Sequence, residues 1–110
     1  MELKLVKTEK FNSNQTKLAT REYYEIGGYN VIADTYTYES DYKIVSTKQK
    51  GDIEYLPSIY ELHNFGVLCG FEISTVSYGS LPVEDIKEII KGYEQAIEVV
   101  EILTEKFINT

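Results

Sequence analysis

The chain has 110 residues, a formal net charge of −7 at pH 7, 43% hydrophobic residues, two prolines and seven glycines. This composition fits one folded domain with a single core, and it excludes a disordered or low-complexity chain. No apolar run is long enough to span a membrane, and the opening MELK lacks the apolar stretch of a signal peptide. Cys69 is the single cysteine and allows no internal disulfide, so we expect a cytoplasmic protein.

Negative charge is concentrated in the second half of the sequence. Residues 1–50 hold eight Lys and Arg against seven Asp and Glu, whereas residues 51–110 hold three against eleven. A surface with this charge repels nucleic acid and attracts basic proteins. We therefore expect a basic protein partner and no direct contact with nucleic acid.

Five or six strands are predicted within residues 3–78. The first four are expected at residues 3–11, 17–26, 29–38 and 42–48. Gly27-Gly28 predicts a tight hairpin turn between the second and third strands, because both glycines tolerate positive φ. The third strand carries apolar side chains on both faces, which predicts a central position in the sheet.

The next segment, residues 53–64, is ambiguous. Ser58 followed by Glu61 fits a capping box, which predicts a short helix from Ile59 to His63, and a strand is the alternative. Residues 66–78 are clearer, because apolar and other residues alternate with a period of two. That pattern predicts a strand with one apolar face, formed by Val67, Cys69, Phe71 and Ile73.

Residues 82–107 predict one long amphipathic helix. Pro82 suits the first helical turn, and Ser80 or Leu81 is expected as the N-cap. Apolar side chains recur at steps of three and four, and we expect this stripe to cover the sheet. Its members are Ile86, Ile89, Ile90, Tyr93, Ile97, Val100, Leu103 and Phe107.

Together these patterns predict an α+β fold in a single domain over residues 1–110. An antiparallel meander of about five or six strands is covered by one long C-terminal helix. The strand order is left open by the sequence.

A second line of small and apolar residues lies on the shoulder of the stripe: Gly92, Ala96, Val99 and Leu103. Glycine inside a helix costs about 1 kcal/mol relative to alanine. Close approach by another backbone would explain why glycine is present. Two partners fit: a strand of this chain, or a second copy of the helix in a homodimer, which would make these four residues a self-association site.

An acidic line runs along the same helix, formed by Glu94, Glu98, Glu101 and Glu105. Like charges at this spacing repel by a few tenths of a kcal/mol, and from Glu94 onward the line has no compensating cation. Carboxylates about 6 Å apart imitate a row of backbone phosphates. We interpret the line as a docking face for a basic groove that normally holds nucleic acid, and an ordinary solvated face is the alternative.

The sequence singles out no catalytic, cofactor or metal site. A nucleophile pair of His63 and Cys69 is less favoured than a cysteine that packs as a small hydrophobe. The spacing of calcium ligands in an EF-hand is absent around Glu39, Asp41, Asp52 and Glu54. We therefore predict a protein that is not an enzyme and that needs no cofactor. A small enzyme or ligand-binding domain is the remaining alternative.

The opening segment LKLVKTEKF, from Leu3 to Phe11, resembles the first strand of prophage antirepressor proteins of Gram-positive bacteria. The likeness covers nine residues and does not include the helical segments of those proteins, so it implies no DNA-binding role. In size, acidity and lack of catalytic motifs the chain is similar to small phage-encoded inhibitors, including anti-CRISPR proteins. The resemblance implies a phage accessory protein acting in the cytoplasm of a bacterial host, and it transfers no functional residue.

Overall fold

The computed structural model describes residues 1–12, 18–38, 40–51 and 53–109. Within these ranges the chain forms six strands followed by one helix. They are β1 (Lys4–Asn12), β2 (Leu18–Ile26), β3 (Tyr29–Tyr38), β4 (Ser40–Gln49), β5 (Ile59–Asn64), β6 (Val67–Ile73) and α1 (Val83–Phe107). The predicted α+β class, with antiparallel strands before one long C-terminal helix, is confirmed.

Four strands form one antiparallel sheet in the order β1-β2-β3-β4. β3 lies inside this sheet, as the apolar residues on both of its faces predicted. The β2–β3 turn is made by Gly27 and Gly28, whose φ angles of 47° and 86° need residues that tolerate positive φ. β1 has an irregularity in its pairing with β2, a register shift between Leu5 and Lys7.

β5 and β6 form a separate two-stranded antiparallel sheet that contacts β4 and α1. Within the ambiguous segment, Ile59–Asn64 is therefore a strand, the second of the two alternatives, and a helix from Ile59 to His63 is wrong. The carbonyl of Ser58 accepts a hydrogen bond from the backbone N–H of Ser74 at 2.9 Å, which extends the β5–β6 pairing. Ile59, only 3% exposed, anchors this end of the hairpin in the core.

The hydrophobic core lies between one face of the four-stranded sheet and α1. Tyr29 is fully buried there, and its hydroxyl donates a hydrogen bond to the carbonyl of Pro57 in the loop before β5. This bond ties that loop to the β2–β3 turn. The other buried members of the core are Tyr24, Ile26, Val31, Ala33, Val45, Leu56, Ile59, Ala96, Val99 and Leu103.

α1 contacts the core through a face that overlaps the predicted stripe only in part, since Val100 and Phe107 of the stripe pack against the core. Its buried residues are Gly92, Ala96, Val99 and Leu103. From the predicted stripe, Leu103 is buried, but Ile86, Ile90 and Ile97 are 43%, 51% and 49% exposed. The stripe prediction is therefore wrong for these three isoleucines, which lie on the solvent side of the helix.

Gly92 explains why α1 presents this side to the core. A Cβ on residue 92 would lie 3.0 Å from the carbonyl carbon of Tyr55 and closer still to its carbonyl oxygen, which real Cβ atoms do not do. The loop before β5 can therefore approach α1 only at a glycine. Because this contact involves backbone on both sides, Gly92 faces the loop, and the isoleucines that lie away from Gly92 on α1 face solvent.

The helix begins at Val83, with Pro82 rather than Ser80 or Leu81 in the N-cap position. The carbonyl of Pro82 accepts hydrogen bonds from the N–H groups of Asp85 and Ile86 at 3.1 and 3.2 Å. No side chain caps this end. At 1.5 Å per residue α1 is about 38 Å long, and it lies in a molecule whose principal extents are 54 × 28 × 25 Å.

Candidate functional site

The solvent side of α1 combines carboxylates with exposed isoleucines. Residues four apart lie on the same face of a helix, so Glu94 follows Ile90 and Glu101 follows Ile97 along one surface. All of these side chains are exposed. We call this surface the acidic–isoleucine face, and its members are Ile86, Ile90, Glu94, Ile97, Glu98, Glu101 and Glu105.

The carboxylates of this face have little compensation within the chain. Two ion pairs are found in the first half of α1, Lys87–Glu84 at 3.5 Å and Lys91–Glu88 at 3.6 Å. Among the described residues, Glu98 pairs only with the N-terminal amine at 3.7 Å. The other glutamates of the predicted line, Glu94, Glu101 and Glu105, have no ion pair in the described part of the chain, so the face keeps a net negative charge.

A groove of about 450 Å³ borders this face, between α1, the N-terminus and the loop before β5. Lys91 lines it together with the carboxylates Glu54, Glu88, Glu94 and Glu98. Within the described ranges, no three His, Cys, Asp or Glu side chains come together as a metal site would require. The groove therefore extends the negative surface without forming a recognisable set of metal ligands.

The predicted self-association residues lie inside the protein. Ala96, Val99 and Leu103 have no exposed surface, and Gly92 is buried against the backbone of Tyr55. Of the two partners that the sequence allowed, the structure shows the chain itself, through the loop before β5 and the sheet. A second copy could reach this line only if α1 separated from the core.

The considered nucleophile pair is placed at the outer end of the hairpin. His63 and Cys69 are both exposed, and the Cys69 thiol donates to the carbonyl of Leu62 at 3.3 Å. The expected burial of Cys69 on an apolar face is wrong, because this end of the hairpin extends beyond the core. Of the considered calcium ligands, Glu39, Asp52 and the side chain of Asp41 lie outside the described residues.

The face of the four-stranded sheet that points away from α1 carries a bidentate ion pair. The guanidinium of Arg21 donates to both carboxylate oxygens of Asp34, at 2.7 and 2.9 Å. Its centre lies 5.0 Å from the ring of Phe11, which contacts Tyr36 edge to face at 6.2 Å. Asp34 is 8% exposed and the charges of the pair are satisfied by one another, so this cluster is structural.

Sequence reasoning missed the tip of the β5–β6 hairpin. Phe65 and Gly66 have φ angles of 51° and 78° and connect the paired residues Asn64 and Val67. Phe65 is 101% exposed and Val67 is 63% exposed. The signal was present as a large aromatic residue directly before a glycine, but it has meaning only once the two flanking strands are known.

Comparison of the chain with known proteins gives no guide to its function, so the function is inferred from the surface of the molecule. No helix in the described part of the chain is long and apolar enough to cross a membrane. The chain matches no model of a protein family, no curated protein and no solved structure.

Proposed function

We propose that this protein is not an enzyme and acts by docking on a basic protein surface through the acidic–isoleucine face. The observation that supports the proposal is the row of exposed isoleucines beside Glu94 and Glu101, which have no ion pair among the described residues. Contiguous exposed apolar side chains mark interaction sites. Neighbouring charges select the sign of the partner and steer its approach.

The partner that fits this face presents apolar side chains surrounded by Lys and Arg. Proteins that bind nucleic acid offer such basic surfaces, because they neutralise backbone phosphates. A line of carboxylates docked there would compete with nucleic acid for the same cations. We therefore infer that the protein inhibits a nucleic-acid-binding protein of a bacterial host, the setting implied by the resemblance to phage-encoded inhibitors.

Two variants with the same change in charge test the role of the glutamate line. Glu94→Gln with Glu101→Gln removes two carboxylates from the acidic–isoleucine face. Glu84→Gln with Glu88→Gln removes two carboxylates that already pair with lysines of the chain. Each immobilised protein is exposed to bacterial lysate at low salt, retained proteins are identified by mass spectrometry, and affinities are measured with the purified partner.

We expect the first variant to lose about tenfold or more in affinity and the control to lose less than about threefold. High salt, about 500 mM, should weaken wild-type binding because it screens exposed charges. Nucleic acid added at low salt should displace the protein. Equal losses for the two variants, or binding that ignores both salt and nucleic acid, would contradict the proposal.

Self-association through the acidic–isoleucine face is a poorer explanation of its exposure. In a symmetric dimer the same patch meets itself, so the glutamate lines of the two copies would lie against each other. Like charges brought together across an interface cost several kcal/mol. Light scattering at high concentration and low salt tests this point, and a stable dimer under those conditions would favour the homodimer instead.

A further inference from the structure

Phe65 combines an unfavourable backbone conformation with complete exposure. It is one of two non-glycine residues with positive φ in the described chain, and the other is Tyr55, with φ of 62°. Residues with a Cβ adopt this region at a cost in free energy. Tyr55 has compensation, because its ring packs edge to face on Tyr78 at 5.6 Å and its backbone contacts Gly92. Phe65 has no such contact, since it is 101% exposed.

The turn itself does not explain why phenylalanine is present. Residues 65 and 66 form a two-residue hairpin loop in which both φ angles are positive, and such loops favour Asn-Gly or Asp-Gly. Phenylalanine lacks the short polar side chain that suits this position. The ring therefore stabilises neither the turn nor the core, and only a group outside the chain can gain from it.

We propose that the hairpin tip is a second docking element, in which Phe65 inserts into an apolar pocket of a protein partner. A phenylalanine that enters such a pocket buries about 150–250 Å². Val67, which is 63% exposed, directly follows the turn and would contact the rim of the pocket. This contact does not depend on the acidic–isoleucine face, which lies on a different element.

Charge favours a protein pocket over a lipid surface. Residues 51–86 contain no Lys or Arg, and β5 and β6 carry Glu61 and Glu72. Segments that bind bacterial or other anionic membranes place cations beside their apolar residues. The hairpin tip has no Lys or Arg beside Phe65 to bind an anionic bilayer, so the apolar pocket of a protein is the occupant that fits it.

Phe65→Asn separates docking from folding. Asn is the better residue for this turn, so we expect the thermal midpoint of F65N to equal or exceed that of the wild type. A clear fall in the midpoint would show that the ring stabilises the chain, and it would overturn the proposal. Phe65→Trp keeps a large aromatic ring at the tip and serves as the conservative control.

Photo-crosslinking tests the contact directly. A photoreactive p-benzoylphenylalanine is placed at position 65, with Tyr60, another exposed aromatic position on the hairpin (57% exposed), as the control site. The probes are bacterial lysate and vesicles of neutral or anionic lipid. We expect one protein adduct at position 65 that excess wild type or F65W suppresses, while F65N requires at least about tenfold more competitor.

Three results of the crosslinking and vesicle experiments would also overturn the proposal. The first is an adduct that F65N suppresses as well as the wild type does. The second is a dominant adduct between two copies of the chain, which would assign the tip to self-association. The third is sedimentation with vesicles that F65N abolishes, which would assign the tip to lipid.

Discussion

The backbone of Tyr55 and the α-carbon of Gly92 lie in direct contact, closer than any residue with a side chain at position 92 would permit. A Cβ there would be 3.0 Å from the carbonyl carbon of Tyr55 and 3.5 Å from the α-carbon of Leu56. Neither group can move aside in the way that the end of a flexible side chain can. The contact therefore sets which side of α1 faces the core.

Gly92→Ala should destabilise the protein by about 1–3 kcal/mol, because overpacking against backbone forces α1 away from the loop. This sign is the reverse of the gain of about 1 kcal/mol that alanine brings inside an exposed helix. Urea unfolding measures the change. Gly70→Ala is the control, since a Cβ there would lie at an ordinary 3.7 Å from Leu62. A more stable G92A variant would contradict the observed packing.

Truncation of two apolar residues of α1 tests which side of the helix faces the core. Val99→Ala should cost about 2 kcal/mol, because Val99 is fully buried. Ile90→Ala removes more atoms but should change stability by less than about 1 kcal/mol, because Ile90 is 51% exposed. Denaturant midpoints of the two variants measure how much stability each substitution costs. A larger loss for I90A would mean that the isoleucines face the sheet, as their periodicity predicted.

The bidentate pair on the outer face of the sheet should couple measurably in a double-mutant cycle. Asp34→Ala and Arg21→Ala, singly and together, are expected to give a coupling energy of about 1–2 kcal/mol. The expectation is modest because the Arg21 side chain is 36% exposed, although that of Asp34 is only 11% exposed.

Lys7 and Glu9 provide the matched comparison for that cycle. Their ion pair has the same 2.7 Å separation, but the two side chains are 58% and 43% exposed. We expect a clearly smaller coupling than in the first cycle, because water screens an exposed pair. Equal coupling in the two cycles would show that burial of Asp34 contributes nothing.

Stability should fall in alkali between about pH 10 and pH 12. Burial raises the pKa of Tyr29 to about 12, and burial together with a hydrogen bond to Glu22 raises the pKa of Tyr24 to about 12. An unfolded tyrosine titrates near 10, so the folded state holds these two protons more tightly. The resulting stabilisation is fully present below about pH 10 and is lost as the pH rises toward 12.

Tyr29→Phe should make that alkaline decline shallower. The variant also loses the hydrogen bond to the Pro57 carbonyl, so its stability at neutral pH should fall by about 1–2 kcal/mol. Urea unfolding at a series of pH values measures both effects, with the exposed Tyr60→Phe as the control. If the stability of Y29F fell with rising pH as steeply as that of the wild type, Tyr29 would not hold its proton more tightly in the folded state.

Strands β1 to β4 and β6 were predictable because their signals are local. Two adjacent glycines specify a hairpin turn between β2 and β3, and apolar residues on both faces of β3 require a neighbour on each side. The capping-box pattern at Ser58 and Glu61 failed because tertiary contacts override such short signals. Burial of Ile59 and pairing with β6 hold that segment extended.

The side of α1 that faces the core could not be predicted from periodicity alone. Periodicity records where apolar side chains recur, and it contains no information about which backbone approaches the helix. Gly92 was recognisable as a close-approach site, but its neighbour in this fold, Tyr55, lies in a loop that the sequence left ambiguous. The glutamate line was readable from spacing alone, whereas Phe65 depends on the register of two strands that had not both been recognised.

The register shift in β1 has a consequence for behaviour at high concentration. β1 has a hydrogen-bonded neighbour on one side only, and an open strand edge is a template for edge-to-edge aggregation. The irregular backbone between Leu5 and Lys7 interrupts that template, and lysines at positions 4, 7 and 10 place charge along it. The β1 edge of the sheet is therefore protected against edge-to-edge pairing, although the chain exposes isoleucines on α1 and an aromatic ring at the hairpin tip.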